Sequence, residues 1–216
     1  MILFLLLASV AHAQTFPLTS VEGLKLNNVK ATPVEYKGKK GLHIVEAASR
    51  QGTGRTEENM AILSKVDFQD GVIELEMSGA PGAGASGGAR GFVGVAFRVA
   101  SDLSKFDVFY LRPTNGRAED QVRRNHSAQY VSSPDWPWQR LRKEFPEKYE
   151  SYVDLVPGEW TKVKIEVRGS KARLYVHGNT QPTLLIDDVK TLTSGNVALW
   201  LGPGTNAHFT NLKISK

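Results

Sequence analysis

What most limits the fold of this chain is the period of its apolar residues, which is two wherever a segment is long enough to show one. In residues 71–78, Ile73, Leu75 and Met77 alternate with Glu74, Glu76 and Ser78; in residues 160–168, Val163, Ile165 and Val167 alternate with Lys162, Lys164 and Glu166. Successive side chains of a strand point to opposite faces, so this pattern belongs to strands with one face buried. Residues 92–99 and 106–111 are apolar on both faces, as expected of central strands covered by a second sheet. Turn residues punctuate the runs. KGKKG at 37–41 separates strands at 34–36 and 42–46, and Gly169-Ser170 makes a two-residue hairpin turn into residues 172–177. Strands at 196–201 and 207–214 close the chain. About a dozen such strands with hardly any helical period specify an all-β fold, a two-sheet antiparallel jelly-roll sandwich.

A single domain of this length buries about 70% of its unfolded surface, so the absence of cysteine costs it nothing in stability. Lys and Arg number 27 against 22 Asp and Glu, a mild excess that favours anionic partners. No long basic run or nucleic-acid motif accompanies it, which points away from nucleic acid. Residues 1–10 (MILFLLLASV) run into Ala11-His12-Ala13, a short apolar stretch with a small-residue cleavage site. That is the pattern of a signal peptide over residues 1–13, leaving a mature domain at 14–216. Nothing later approaches ~18 uninterrupted apolar residues, so no transmembrane segment is expected. An exported chain without disulfides fits a secreted or bacterial periplasmic location.

Two segments depart from the strand pattern. Residues 79–91 (GAPGAGASGGARG) read as a mobile glycine-rich loop. The G-x-G-x-x-G inside it precedes a strand rather than a helix, which excludes dinucleotide binding. Residues 113–149 form a long polar insertion rich in arginine and aromatics, with one short helix expected at 138–145. Structureless insertions of this length in compact domains are functional or disordered, and the Trp and Tyr content argues against disorder. We therefore expect a flap over one sheet face that walls a ligand site. Tyr110 and Arg112, two apart on the preceding strand, share a face and belong to that site. Arg123, Asn125, Tyr130, Trp136 and Trp138 complete the expected ligand-binding set. Aromatic rings stack on the apolar faces of sugars, and arginines favour an acidic or oxidised sugar. His126 lies among Arg123, Arg124 and Asn125, where cationic neighbours would hold its imidazole neutral, as a general base requires. In a catalytic reading His126 is the base and Arg124 or Arg112 stabilises the developing enolate. Truncating Arg112 or Arg124 should then abolish binding with little effect on stability, whereas Trp138→Ala, removing an anchor of the flap, should cost about 3 kcal/mol or more. The histidines form no metal-binding spacing, so neither metal nor cofactor is expected.

The stretches GVIELEM (71–77), GVAFR (94–98), GEWTKVKIEVRG (158–169), KARLYVHG (171–178) and GNVALWLGPGTNAHFTNLKI (195–214) fall in a familiar order. Together they resemble the concanavalin A-like lectin/glucanase superfamily and are most similar to its 3-keto-disaccharide hydrolase-like domains. The resemblance implies a jelly-roll sandwich with a saccharide or glycoside as ligand, bound on the concave sheet beneath the flap. Related glucanases carry an E-x-D-x-E strand. Aligned on Glu74 this chain reads E-L-E-M-S, with Ser78 in place of the second catalytic carboxylate. Glu74 and Glu76, about 6.6 Å apart on one face, are therefore expected to be solvent-face residues. Three functions stay open on these grounds: a carbohydrate-binding module, a 3-keto-glycoside hydrolase or lyase, and an exported protein-interaction domain.

Overall fold

The computed structural model describes residues 13–47 and 58–216. Residues 1–12, nearly all of the expected signal peptide, lie outside the described residues. The alternation becomes two antiparallel sheets packed face to face. The eight-stranded sheet follows the spatial order β13 (Leu184–Ile186), β12 (Lys171–Val176), β11 (Thr161–Arg168), β6 (Gly71–Pro81), β15 (Thr205–Ser215), β4 (Lys39–Glu46) and β3 (Val29–Tyr36). Its eighth strand, β1 (Ala13–Phe16), pairs with β15. The seven-stranded sheet follows the order β10 (Glu150–Ser151), β9 (Ala128–Ser133), β8 (Phe106–Leu111), β7 (Val93–Val99), β14 (Asn196–Leu201), β5 (Met60–Leu63) and β2 (Leu24–Asn27).

Between the sheets lies the main core. Ile73, Leu75 and Met77 of β6 and Val163, Ile165 and Val167 of β11 meet Val93, Val95 and Phe97 of β7 and Phe109 and Leu111 of β8. Burying each of these larger side chains contributes about 1.5–3 kcal/mol before entropy is charged against it. The hairpin turn between β3 and β4 is tighter than expected. Lys37 and Gly38 alone have positive φ, 46° and 74°, and both strands extend up to them. That geometry matches the right-handed twist of the flanking strands, which a longer basic turn would not.

The insertion at 113–149 is not one flap. It holds a 3-10 turn (Pro113–Asn115), helix α1 (Gln121–Asn125), the whole of strand β9, and helix α2 (Trp138–Glu144). β9 pairs with β8 along its length, from Phe106 opposite Ser133 to Leu111 opposite Ala128. Its sequence, AQYVSS, hides the strand because each face carries a buried polar side chain, Gln129 on one and Ser132 on the other, with internal partners. Tyr130 belongs to that strand and is fully buried in the core. Its hydroxyl donates to Asp107 at 2.5 Å, and burial pushes the Asp107 carboxyl up to about 6. Expected to contact ligand, Tyr130 is a core residue instead.

The glycine-rich segment also differs from expectation. Its first residues extend β6 to Pro81, and the remainder is pinned rather than free. Gly82 donates to the Gly204 carbonyl at 2.8 Å, and turns close from Ala85 to Gly82 and from Ala89 to Ser86.

Candidate functional site

The outer face of the seven-stranded sheet is apolar too. Met60, Ile62, Ala96, Val108, Tyr110, Ala198 and Trp200 form a second cluster on it, separate from the inter-sheet core. β7 presents Gly94 and Ala96 outward, and these small residues make a trough. Gly94 lies between Trp200 on one side and Tyr110 on the other. A Cβ at Gly94 would come within 2.6 Å of the Tyr110 Cβ, so only glycine lets the two rings approach to 5.0 Å between centroids.

Two adjoining cavities of about 520 and 360 Å³ sit on this trough. The larger is floored by Phe106, Val108, Tyr110 and Trp200 and walled by Ser86 and Ala89 of the glycine-rich loop and by Pro134, Pro137 and Trp138. The smaller holds Arg90, Arg112, Arg123 and Arg142 together with His126, Asn115 and Asp120. Gly88, Phe92 and Trp138 line both, so the two form one groove with an aromatic half and a cationic half. Trp138 is 38% exposed, with the Arg142 guanidinium 4.7 Å from its ring centroid.

Glu150 organises the cationic half. Its side chain is 2% exposed and accepts both arms of Arg142, Nε at 2.7 Å and Nη2 at 2.5 Å. Arg112 lies 3.7 Å from the same carboxylate and is itself buried. Its remaining donors go to the Tyr110 hydroxyl at 2.9 Å, Gln129 Oε1 at 3.0 Å and the His126 carbonyl at 3.0 Å. Tyr110 and Arg112 thus point to one face, with the guanidinium 4.9 Å from the Tyr110 ring centroid. His126 Nε2 is 3.7 Å from Glu150. Burial lowers the His126 pKa below its ordinary 6.5; Glu150 opposes that, and Arg142 and Arg112 add to it. The imidazole is therefore held neutral near pH 7.

The other expected site residues fall elsewhere. Arg124 turns away from both cavities: its Nη2 donates to the Tyr152 hydroxyl at 3.0 Å, and its Nε is buried without a hydrogen-bond partner. Asn125 is exposed on α1 and accepts from Gln121. Trp136 packs on the core, with Phe145 6.2 Å away and the cations of Arg140 and Lys190 at 3.8 and 4.5 Å from its ring. Trp136, expected at the ligand, is therefore an anchor, and Trp138, expected both at the ligand and as an anchor of the flap, is the groove wall. Arg123 does line the cationic half. Sequence reasoning missed Trp200, Phe92, Arg90, Arg142 and Glu150. One signal was available for the first of these: a glycine in the middle of an apolar strand marks a close approach, and here the approach is between rings. Glu74 and Glu76 stand on β6, in the opposite sheet, with no part in either cavity.

No protein-family model matches the chain, and no curated protein does. Solved structures do match it in fold. A protein of unknown function with a galectin-like fold from Bacillus subtilis superposes with a TM-score of 0.57 at 14% identity, over 93% of this chain and 94% of that one. The Crh5 transglycosylase in complex with NAG gives 0.57 at 14%, over 94% and 84%. The carbohydrate-binding module CBM66 from Bacillus subtilis gives 0.51 at 13%, over 88% and 96%. The chain is an all-β, two-sheet antiparallel sandwich of the concanavalin A-like and galectin-like kind.

Proposed function

We propose that the groove on the seven-stranded sheet binds a saccharide, with sugar faces against Trp138 and Trp200 and an acidic or oxidised unit toward the arginines. The observation that carries this reading is the aromatic trough, kept open at about 520 Å³ over a floor of buried Phe106, Val108, Tyr110 and Trp200. Planar rings beside a few fixed polar groups suit a ligand with apolar faces and hydroxyl edges. The likeness in fold to a carbohydrate-binding module and a transglycosylase supports a saccharide over other ligands of that shape. The apolar start and Ala11-His12-Ala13 support export to a periplasm or the exterior. The test is a glycan array followed by titration of wild type and Trp138→Ala. Loss of the half-exposed ring should weaken binding about tenfold or more with an unchanged melt. Saccharides that fail to bind, or that bind the variant equally well, would overturn the reading.

One observation supports a second reading, a hydrolase or lyase acting on 3-keto-glycosides. His126 is neutral, faces the cavity, and has a carboxylate and two arginines around it. Positioned beside an acidic C–H it would take the proton, and Arg112 or Arg142 would steady the enolate. Turnover of a 3-keto-glycoside that disappears in His126→Asn, with folding intact, separates this from binding alone.

A further inference from the structure

The four arginines of the cationic half are not equivalent. Glu150 takes both arms of Arg142 and lies 3.7 Å from Arg112, so these two cations share one buried counter-charge. Among the described residues, no carboxylate lies within ion-pair distance of Arg90 or Arg123. Asp120, the other acid on this wall, accepts the backbone N–H of Arg123 at 3.0 Å as the cap of α1. The Arg123 guanidinium is held by neutral acceptors, with Nε donating to Asn115 Oδ1 at 2.9 Å and Nη2 to the Thr114 hydroxyl at 3.1 Å. Arg90 donates through Nη1 alone, to the carbonyls of Gly87 and Ala89. Among the described residues, its Nε and Nη2, and Nη1 of Arg123, have donors left to give. Burial lowers the Arg90 pKa, and the charges of Arg123 and Arg112 lower it further, the signature of cations gathered on one wall.

We propose that this wall selects a saccharide carrying an anionic oxyanion substituent, a carboxylate or a sulfate ester, held by Arg90 and Arg123. The inference rests on the saccharide reading of the groove and narrows it. A 3-keto group is a neutral acceptor and leaves the surplus positive charge uncompensated, whereas an oxyanion accepts from both guanidiniums and offsets part of it. Acidic sugars are therefore preferred over oxidised neutral ones. Ring stacking in the aromatic half sets position, and the arginines set the chemical class. Arg112 and Arg142 act as supports, since their donors are already committed to Glu150, Tyr110, Gln129 and the His126 carbonyl.

The experiment titrates the full chain with an oligouronate, the same oligosaccharide with its carboxyls reduced to alcohols, and a sulfated counterpart of the reduced form. The uronate or the sulfated form should bind roughly tenfold to a hundredfold tighter than the reduced one. That gap should narrow as salt is raised. Whichever anion binds identifies the substituent. Arg90→Gln and Arg123→Gln should each bring the preference toward unity. Arg123 also braces the 3-10 turn, so Arg90, whose side-chain hydrogen bonds reach only its own loop, supplies the variant that keeps the fold. Equal binding of charged and reduced forms, or a preference that survives Arg90→Gln in folded protein, overturns the proposal while leaving the saccharide reading in place. Failure of every saccharide to bind removes both.

Discussion

The two outer faces of this sandwich were built by opposite rules. On the eight-stranded sheet, outward positions carry charges that meet across strands: Lys162 opposite Glu76, Lys164 opposite Glu74, and Glu166 opposite Arg173. On the seven-stranded sheet the outward positions are Ala96, Val108, Tyr110, Ala198 and Trp200. A solvated face needs only to be polar and paired, since cross-strand pairs of opposite charge add stability in small increments. An apolar outer face must be covered, and the cover here is the glycine-rich loop with residues 134–138. Covering a face with loops rather than a sheet leaves room between them, and that room is the groove. The site is thus a by-product of where alternation fails.

The largest effect that would test this contrast is at Arg112. On the solvated face a charge can be removed cheaply; in the groove Arg112 is 7% exposed at its side chain, opposite a Glu150 side chain that is 2% exposed. Truncation leaves Glu150 its Arg142 partner, but it opens a buried gap and orphans acceptors on Tyr110, Gln129 and the His126 carbonyl. Arg112→Ala should lose about 3–5 kcal/mol, read by urea unfolding. The sequence reading expected this variant to lose ligand and keep its stability, and burial reverses the expectation. Arg90→Ala on the same wall should cost far less. Equal costs for the two would erase the division between supporting and ligand-facing arginines.

Much of the frame was legible. β8 and β14 coincide residue for residue with the runs at 106–111 and 196–201, and the helix expected at 138–145 appears as Trp138–Glu144. Alternation and hairpin turns are local signals, so local reasoning finds them. The double apolarity of 92–99 and 106–111 was also seen, but its cause was assigned to a second sheet, which covers only one face of a strand. Asking what covers the other face would have led to the groove. β9 escaped because Gln129 and Ser132 are polar yet buried, satisfied by Tyr130, Tyr149 and Thr191 rather than by solvent. Glu150 escaped for a similar reason: nothing near it in sequence announces three cationic or imidazole partners. In the arginine-rich helix, Arg123 and Arg124 are set about 100° apart around the axis, and sequence alone does not say which of the two faces the cavity.

A second, smaller effect lies on the solvated face, where one ring cluster breaks the ladder of charges. His208 stacks on Tyr36 at 3.7 Å between centroids and on His43 at 4.8 Å, with Trp160 edge-on at 6.3 Å. Burial, and then the charge on His43, lower its pKa from 6.5 to about 4. A histidine with a depressed folded-state pKa adds stability above its unfolded value and loses it as pH falls through the folded one. His208 should therefore withdraw about 1–2 kcal/mol between pH 6.5 and 4. Asp107 works in the opposite sense, since its carboxyl, raised to about 6, is easier to bury once protonated. Urea melts at several pH values on wild type and His208→Phe isolate the histidine, because only the wild type should carry that acid loss. Parallel pH profiles for the two proteins would mean that His208 is more open to water than its stacking implies.

The smallest expected effect concerns the two glutamates of β6, and it is the sharpest check on which face is functional. A glucanase-type mechanism needs one carboxyl raised toward neutrality to act as an acid, beside a second, ionised one. Glu76 is tuned the other way. Burial works to raise its pKa, yet hydrogen bonds from Lys39 and Asn211 and the charges of Lys39 and Lys162 hold it below its ordinary 4.5. Its Lys39 partner is 37% exposed, so the pair is worth little to stability. Glu74 meets Lys164 and Lys213 across the strands, as a ladder position should. The double variant Glu74→Gln, Glu76→Gln should cost no more than about 1 kcal/mol and leave saccharide affinity unchanged. Affinity and thermal melts on one preparation measure both. Loss of binding or turnover in a folded double variant would move the site to the eight-stranded sheet and make the roofed groove a packing feature. An unchanged affinity, beside the loss expected from Trp138→Ala, would place recognition on the face where alternation fails.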